Sequence, residues 1–365
     1  MKMLKRISAI LLVGMFLFSV AGCHPKDEIA VTVGNEKFTS AYYMCSLIYA
    51  DMEARQKVDE AKADDENADA AETDYYAEKI DKTDFSKWVK NRALEMLKEI
   101  AAYKTKCSEE KLTLSEEEKN NAEMYASYYW SNYGYAQLFE PNGVSEATFK
   151  KYMTDASYAN LYFDHLYGKE GTKALSDETV AQTMQEKFLL ANQLEVTFSE
   201  ETDEEKAAKK AQLDGYVTAL QKGTRTFEEI YHEFNGNEHQ EDAEAETEAD
   251  DGTLKPINEH AAVLGAEDTS YASENFETAK AMAVGEVKLI EKADNAGYTL
   301  VVKLDLAADP YYVDQLDSAV RHLIADEAYE KDMQDFAKTL KFSAKKSAID
   351  QFKVKKIVYP TANGQ

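Results

Sequence analysis

Positive charge is scarce in this chain. Lys and Arg number 42 against 68 Asp and Glu, and the formal net charge is −26 at pH 7. That balance excludes a nucleic-acid binder, whose phosphate contacts need Lys and Arg. It also argues against binding anionic lipid through the body of the protein, while self-repulsion keeps such a chain soluble beside a membrane. Cysteine is rarer still: Cys23, Cys45 and Cys107 are the three. Past Cys23, one disulfide is possible but no disulfide framework, and Cys45 and Cys107 each lie in an apolar helical pattern that favours a buried free thiol. Neither Cys-x-x-Cys nor a His-rich ligand spacing occurs, so no metal and no cofactor are expected. Gly-x-Ser-x-Gly, Walker A and Gly-x-Gly-x-x-Gly patterns are missing too. Of the histidines, His165 sits among Tyr162, Phe163 and Tyr167 and reads as structural. His232 and His239 read as loop residues capable of adventitious metal binding at most, and His260 and His322 have no local partner.

The one long apolar run, Ile7 to Val20, is about 14 residues, short of the roughly 20 that a spanning helix needs. Lys2, Lys5 and Arg6 precede it, and Val20-Ala21-Gly22-Cys23 ends it. Small residues before a cysteine resemble the lipobox of bacterial lipoproteins, where cleavage precedes a lipid-bearing cysteine. Residues 1–22 are therefore expected to be a signal peptide, with Cys23 lipidated and the mature protein extracytoplasmic and anchored to the bacterial cell membrane. An ordinary signal peptide followed by a chance cysteine is the alternative. Loss of the three positive residues takes the net charge to −29.

What remains is mostly helix. Val31 to Phe38 reads as a small hairpin turning at Gly34-Asn35, and a helix follows from about Thr39 to Val58. Asp59 to Asp74 is acidic and Ala-rich without large apolar residues, so 59–79 reads as a mobile acidic insertion. Asp84 is placed to cap a helix with a stripe of Trp88, Leu94, Leu97, Ile100 and Tyr103. Ser115-Glu-Glu-Glu118 is a capping box, and Ser145 and Ser176 open further helices, the last to about Ala191. The period then changes. Leu194 to Phe198 alternates as a strand. Thr202-Asp-Glu-Glu205 and Thr226-Phe-Glu-Glu229 start two helices, and 238–251 is an acidic loop. In "AVGEVKLIEKADNAGYTLVVKLD", residues 283–305, two β-rich runs flank Asn295-Ala-Gly297 as a hairpin. A helical stripe returns at Val313, Leu316, Val320, Leu323, Ile324, Met333, Phe336 and Leu340, and Phe352 to Tyr359 is β-like, able to pair with Val31 to Phe38.

The predicted fold is α+β: a helical domain, residues 23–192, completed by a C-terminal helix and strand, 309–365, with a small α+β domain, 193–308, inserted between them. Three stretches carry a family likeness. "AVTVGNEKFTSAYY", "LQKGTRTFEEIYHEF" and "NFETAKAMAVGEVKLIEKADNAGYTLVVKL" resemble segments of the PrsA/SurA-like extracytoplasmic foldases, in which a helical chaperone domain built from both chain ends surrounds a parvulin-type prolyl isomerase domain. The resemblance implies a proline-pocket remnant at Phe276, Met282, Thr299 and Leu300; the alternative is that Phe276, Met282 and Leu300 are simply the core of the small domain. It also exposes a departure. Active parvulins face two histidines across the domain, but the first strand "NQLEVTF" has none and Thr299 stands at the second position, so no catalytic residue is expected.

Tyrosine is abundant where the helices are: 15 of 23 lie between residues 40 and 170, five of them with Trp130 in "MYASYYWSNYGYAQLF". One helix face cannot bury adjacent Tyr128, Tyr129 and Trp130. Tyr125, Tyr128, Tyr129, Trp130 and Tyr133 are candidates either for a wide core stripe or for a surface that binds extended, partly apolar polypeptide, since Tyr and Trp combine contact area with a polar tip. The expected function is a membrane-anchored chaperone or foldase for unfolded or partly folded secreted polypeptides, its parvulin-like module inactive or weak. An active peptidyl-prolyl isomerase and a transporter's solute-binding lipoprotein are the alternatives. The latter requires repeated βα units, which the pattern lacks.

Overall fold

The computed structural model describes residues 28–63, 73–199, 201–235 and 254–360. The apolar leader, Cys23 and the acidic stretch 238–251 lie outside them. The chain is α+β and divides into two compact units: Met1–Leu166, Glu170–Thr172 and Glu327–Gln365 in the first, Tyr167–Lys169 and Lys173–Asp326 in the second.

In the first unit β1 (Ile29–Val33) and β2 (Glu36–Thr39) form the expected hairpin, with Gly34 at φ +57° in the turn. Strand β2 runs into α1 (Ser40–Ala63). This helix continues five residues past the expected end at Val58, because Glu60, Ala61, Lys62 and Ala63 are good helix formers, and Tyr75 donates back to Asp59 Oδ2 at 3.0 Å. A 3-10 turn at Tyr75–Ala77 packs Tyr76 edge-on to Phe85, ring centroids 5.6 Å apart. The reading of 59–79 as one mobile insertion is thus corrected at both of its ends, while 64–72 lie outside the described residues. After the two-residue ladder of β3 (Lys79–Ile80) and β4 (Thr83–Asp84) comes α2 (Phe85–Glu109). Asp84 occupies its cap position without making the side-chain cap bond. Helix α3 (Glu116–Asn132) opens on the Ser115/Glu118 capping box. Helices α4 (Tyr135–Phe139), α5 (Glu146–Ala156) and α6 (Tyr158–Tyr167) follow. Tyr43, Leu47, Ile48, Phe85, Leu97, Phe139 and Phe149 fill the core. Cys45 and Cys107 are buried free thiols. Burial raises both, Cys107 to about 11, so neither is poised as a thiolate.

The second unit opens with α7 (Asp177–Lys187) and β5 (Phe188–Thr197). The helix ends four residues before Ala191, where it was expected to stop: Phe188-Leu-Leu-Ala is buried on both faces, and a short all-apolar run has no period to distinguish strand from helix. Capping boxes at Thr202 and Thr226 start α8 (Asp203–Gln221) and α9 (Phe227–Asn235). Beyond them lie β6 (Ala261–Gly265), a strand missed in the sequence, α10 (Phe276–Lys280), β7 (Val287–Glu291) and β8 (Gly297–Leu304). The sheet order is β6-β5-β8-β7, antiparallel throughout, and β5 pairs with β8 from Leu190↔Leu304 to Thr197↔Gly297. Gly297 is required there: a Cβ would lie 1.9 Å from the Val196 carbonyl oxygen. The left-handed turn residues of the hairpin are Asp294 and Asn295.

Helix α11 (Pro310–Thr339) corrects the expectation that 309–365 packs as one piece on the N-terminal helices. Its first half belongs to the second unit, where Tyr312, Leu316 and Val320 bury against Val180, Met184 and Leu190. Its second half belongs to the first unit, where Tyr329 stacks on Tyr103 at 5.9 Å and donates to the Ala159 carbonyl at 2.7 Å. The strand that completes the first unit is β9 (Phe342–Ala344), antiparallel to β1. Residues 352–359 were expected to take that place. Instead they follow α12 (Lys346–Asp350) as a 3-10 turn and extended chain, since β9 reaches the free edge of β1 directly from the helix end, and Val354 and Ile357 bury as loop residues.

Candidate functional site

Two surfaces bear the residues singled out in the sequence. The first is one face of the four-stranded sheet. Side chains alternate along a strand, so Leu189, Ala191 and Gln193 of β5, Thr299 and Val301 of β8 and Ile290 of β7 share a face, as the register Gln193↔Val301 and Ile290↔Thr299 requires. Phe276, Ala279 and Met282 cover that face. Three residues of the expected pocket remnant therefore come together. Leu300 does not: it points to the opposite face, packed with Leu194, Leu213 and Ile230 under α8 and α9. Its assignment to the remnant is corrected by the two-residue period of the strand, which cannot put Thr299 and Leu300 on one side.

The face is closed. Phe276 and Met282 are each 3% exposed and Thr299 is 0% exposed, so these residues offer no surface to a proline ring. Within it, Thr299 Oγ1 and Gln193 Oε1 are buried with no hydrogen-bond partner among the described residues. Each such atom costs about 1–3 kcal/mol in desolvation. Gln193, two positions along β5 from the residue opposite Thr299, escaped notice in the sequence. Only the strand register reveals it as the least exposed polar residue of the first strand on the Thr299 face, which Glu195, directly opposite Thr299, and Thr197 share from exposed positions.

The second surface lies on α3. Met124, Tyr125, Tyr128 and Tyr133 are 52–60% exposed, side by side on the solvent face of the helix and at its C-cap. Tyr128 and Tyr133 meet edge to face at 5.5 Å, Tyr133 contacts the half-buried Tyr129 at 5.3 Å, and Tyr129 stacks on Tyr135 at 5.8 Å. Trp130 belongs to the opposite face. It is 6% exposed and packs on Phe149 at 5.5 Å and Phe139 at 6.3 Å. Its candidacy as a binding aromatic is corrected: α3 needs one apolar anchor toward α5, and Trp130 with Ala126 supplies it. The result is an aromatic row rooted in the core at Tyr135 and Phe139 and rising to three solvent-facing phenols. Such a row presents contact area with little rotamer entropy to lose and hydroxyls for backbone groups of a bound chain.

A cavity of about 610 Å³ between the start of α2 and the C-terminal tail is lined by Lys87, Lys90, Lys353, Lys355 and Lys356. It lacks the aromatic wall that apolar polypeptide requires.

No family model matches the chain, and no curated protein matches it. Among solved structures it is similar to the foldase protein PrsA from Lactococcus lactis (13% identity, TM-score 0.38, covering 89% of this chain and 99% of that one). It is similar also to PrsA from Streptococcus pneumoniae (11%, 0.36, 74% and 85%). A third is PrsA from Bacillus subtilis (18%, 0.31, 74% and 91%). At these TM-scores, what this chain does rests on its own residues.

Proposed function

We propose that the protein is a holding chaperone for unfolded or partly folded secreted polypeptides, anchored to the outer face of the cell membrane through lipid on Cys23. The observation that carries this reading is the solvent-facing row of Tyr125, Tyr128 and Tyr133 on α3 and at its C-cap, rooted in the core at Tyr135 and Phe139. Monomeric surfaces seldom carry contiguous large apolar side chains without a partner for them. The net charge of −26 complements the row, since it keeps a client-laden surface from self-association. The all-antiparallel sheets of the described residues speak against a solute-binding protein, whose βα repeats give parallel strands.

The small α+β unit serves in this reading as a scaffold rather than an isomerase. Prolyl isomerisation needs an apolar site that accepts the ring and favours the twisted amide, against a barrier of about 18–20 kcal/mol. Here Phe276, Met282 and Thr299 are buried, and neither β5 nor β8 carries a histidine. The chain, purified without its leader, is expected to suppress aggregation of a chemically unfolded client at near-stoichiometric ratios while leaving X-Pro exchange in a short peptide at its uncatalysed rate. Isomerase activity that is lost on Phe276→Ala would reverse this assignment. Expression of the full chain, leader included, in a bacterial host checks the anchor: it should partition with membranes and Cys23→Ala should not.

A further inference from the structure

The histidines that have no neighbours in the sequence acquire them in the second unit. Glu228 and His232 stand one turn apart on α9, on the same face of the helix. This also corrects the placement of His232 in a loop. His260, 28 residues later in the chain and directly before β6, meets them. Glu228 Oε1 lies 2.5 Å from His232 Nε2 and 2.9 Å from His260 Nε2. The His260 ring is held by a parallel stack on Tyr231, ring centroids 3.9 Å apart at 19°. One ligand atom from each of the three residues lies within 4.8 Å of the others.

We propose that Glu228, His232 and His260 bind a divalent transition-metal ion of the zinc class. Two imidazole nitrogens and a carboxylate oxygen are the donors such an ion takes, and they leave a fourth position for water. With metal–ligand bonds of about 2.0–2.2 Å at tetrahedral angles, donor atoms stand roughly 3.4 Å apart. The two contacts to Glu228 Oε1 therefore open by less than about 1 Å when the ion enters. In the metal-free arrangement each Nε2 lies against the carboxylate oxygen; on binding, the ion stands among the three donor atoms. All three side chains are half-buried, so the ion reaches them from solvent without unfolding the unit. The consequence is a clip. The ion joins α9 to the start of β6, an edge strand that the sheet holds from one side only, and so ties together two residues 28 positions apart in the chain. This inference concerns the second unit alone and stands or falls independently of client binding at α3.

The test is calorimetric titration of the chelator-treated chain with ZnCl2, together with the visible spectrum of the Co²⁺ form. One ion per chain is expected, with a four-coordinate Co²⁺ spectrum and a higher melting temperature in the presence of zinc. His260→Phe retains a ring to stack on Tyr231 but removes the ligand; it should fold as the parent does, weaken zinc binding at least tenfold and abolish the four-coordinate spectrum. Glu228→Gln should weaken binding by a similar factor. His322→Ala, which removes an imidazole bonded to Asp326 elsewhere in the chain, should bind as the parent does. Unchanged affinity in both His260→Phe and His260→Ala, or only weak binding of several ions to the acidic surface, would overturn the proposal.

Discussion

Deletion of residues 341–365 is expected to abolish cooperative folding of the unit built from both chain ends. The segment looks peripheral in sequence, but it delivers Ile349, Val354 and Ile357 to the core formed by α1 and α2. At about 1.5–3 kcal/mol for each fully buried aliphatic side chain, their loss approaches the whole stability of an ordinary domain. Two further effects act in the same direction. Removal of β9 leaves the outer edge of β1 unpaired along Val31 to Val33. It also strips a partner from Asp51. That carboxylate is fully buried and accepts from Arg55 Nε at 2.7 Å and from the Tyr359 hydroxyl at 2.6 Å. Burial and then the Asp51 charge raise the Tyr359 phenol, so it remains a donor throughout the ordinary pH range. Losing a hydrogen bond to a buried charge costs about 1.5–3 kcal/mol. Scanning calorimetry of the truncated chain should show the first unit's transition gone. A cooperative transition within a few degrees of the parent would show that the two chain ends do not share a core.

Trp130→Ala is expected to destabilise the first unit by about 3–5 kcal/mol, the usual range for deleting a buried large aromatic. The indole packs between α3 and α5, against Phe139 and Phe149. Chemical denaturation followed by tyrosine and tryptophan-independent far-UV dichroism measures the change. The contrast with its sequence neighbour is the informative part. Tyr128→Ser, two residues away on the solvent face, should lie within about ±0.5 kcal/mol of the parent, as surface substitutions do. A loss below 1 kcal/mol for Trp130→Ala would mean that the indole is not part of the core and would return it to the binding surface.

Those two residues also mark where the sequence stops being legible. The capping boxes at Ser115, Thr202 and Thr226, the hairpin around Gly297 and the buried thiols could all be read directly, because each depends on residues within a few positions of one another. The division of "YYW" between core and solvent could not, since the phase of α3 is set by what α5 presents to it. The same holds for the strands. Alternation identified Leu194 to Phe198 but not the apolar Phe188 to Ala191, where both faces are buried. The three residues of β9 are too few to show any period, so the β-like Phe352 to Tyr359 drew the assignment away from it. The α11 stripe looked like one surface because its period is continuous, yet it serves two cores, one before Asp326 and one after it. At the candidate sites, Phe276, Met282 and Thr299 were found through resemblance. Gln193 and the meeting of His232 with His260 required strand register and tertiary contact, which no local spacing encodes.

The central claim is that the exposed tyrosines of α3 hold client polypeptide. It is tested most directly by the triple variant Tyr125→Ser, Tyr128→Ser, Tyr133→Ser in a light-scattering assay of an unfolded client. Aromatic contacts contribute about 0.5–1.5 kcal/mol each beyond the area they bury, so at least about tenfold more of the triple variant should be needed for the same protection. Its melting temperature should match the parent's. Full protection by the variant at parental concentrations would contradict the account.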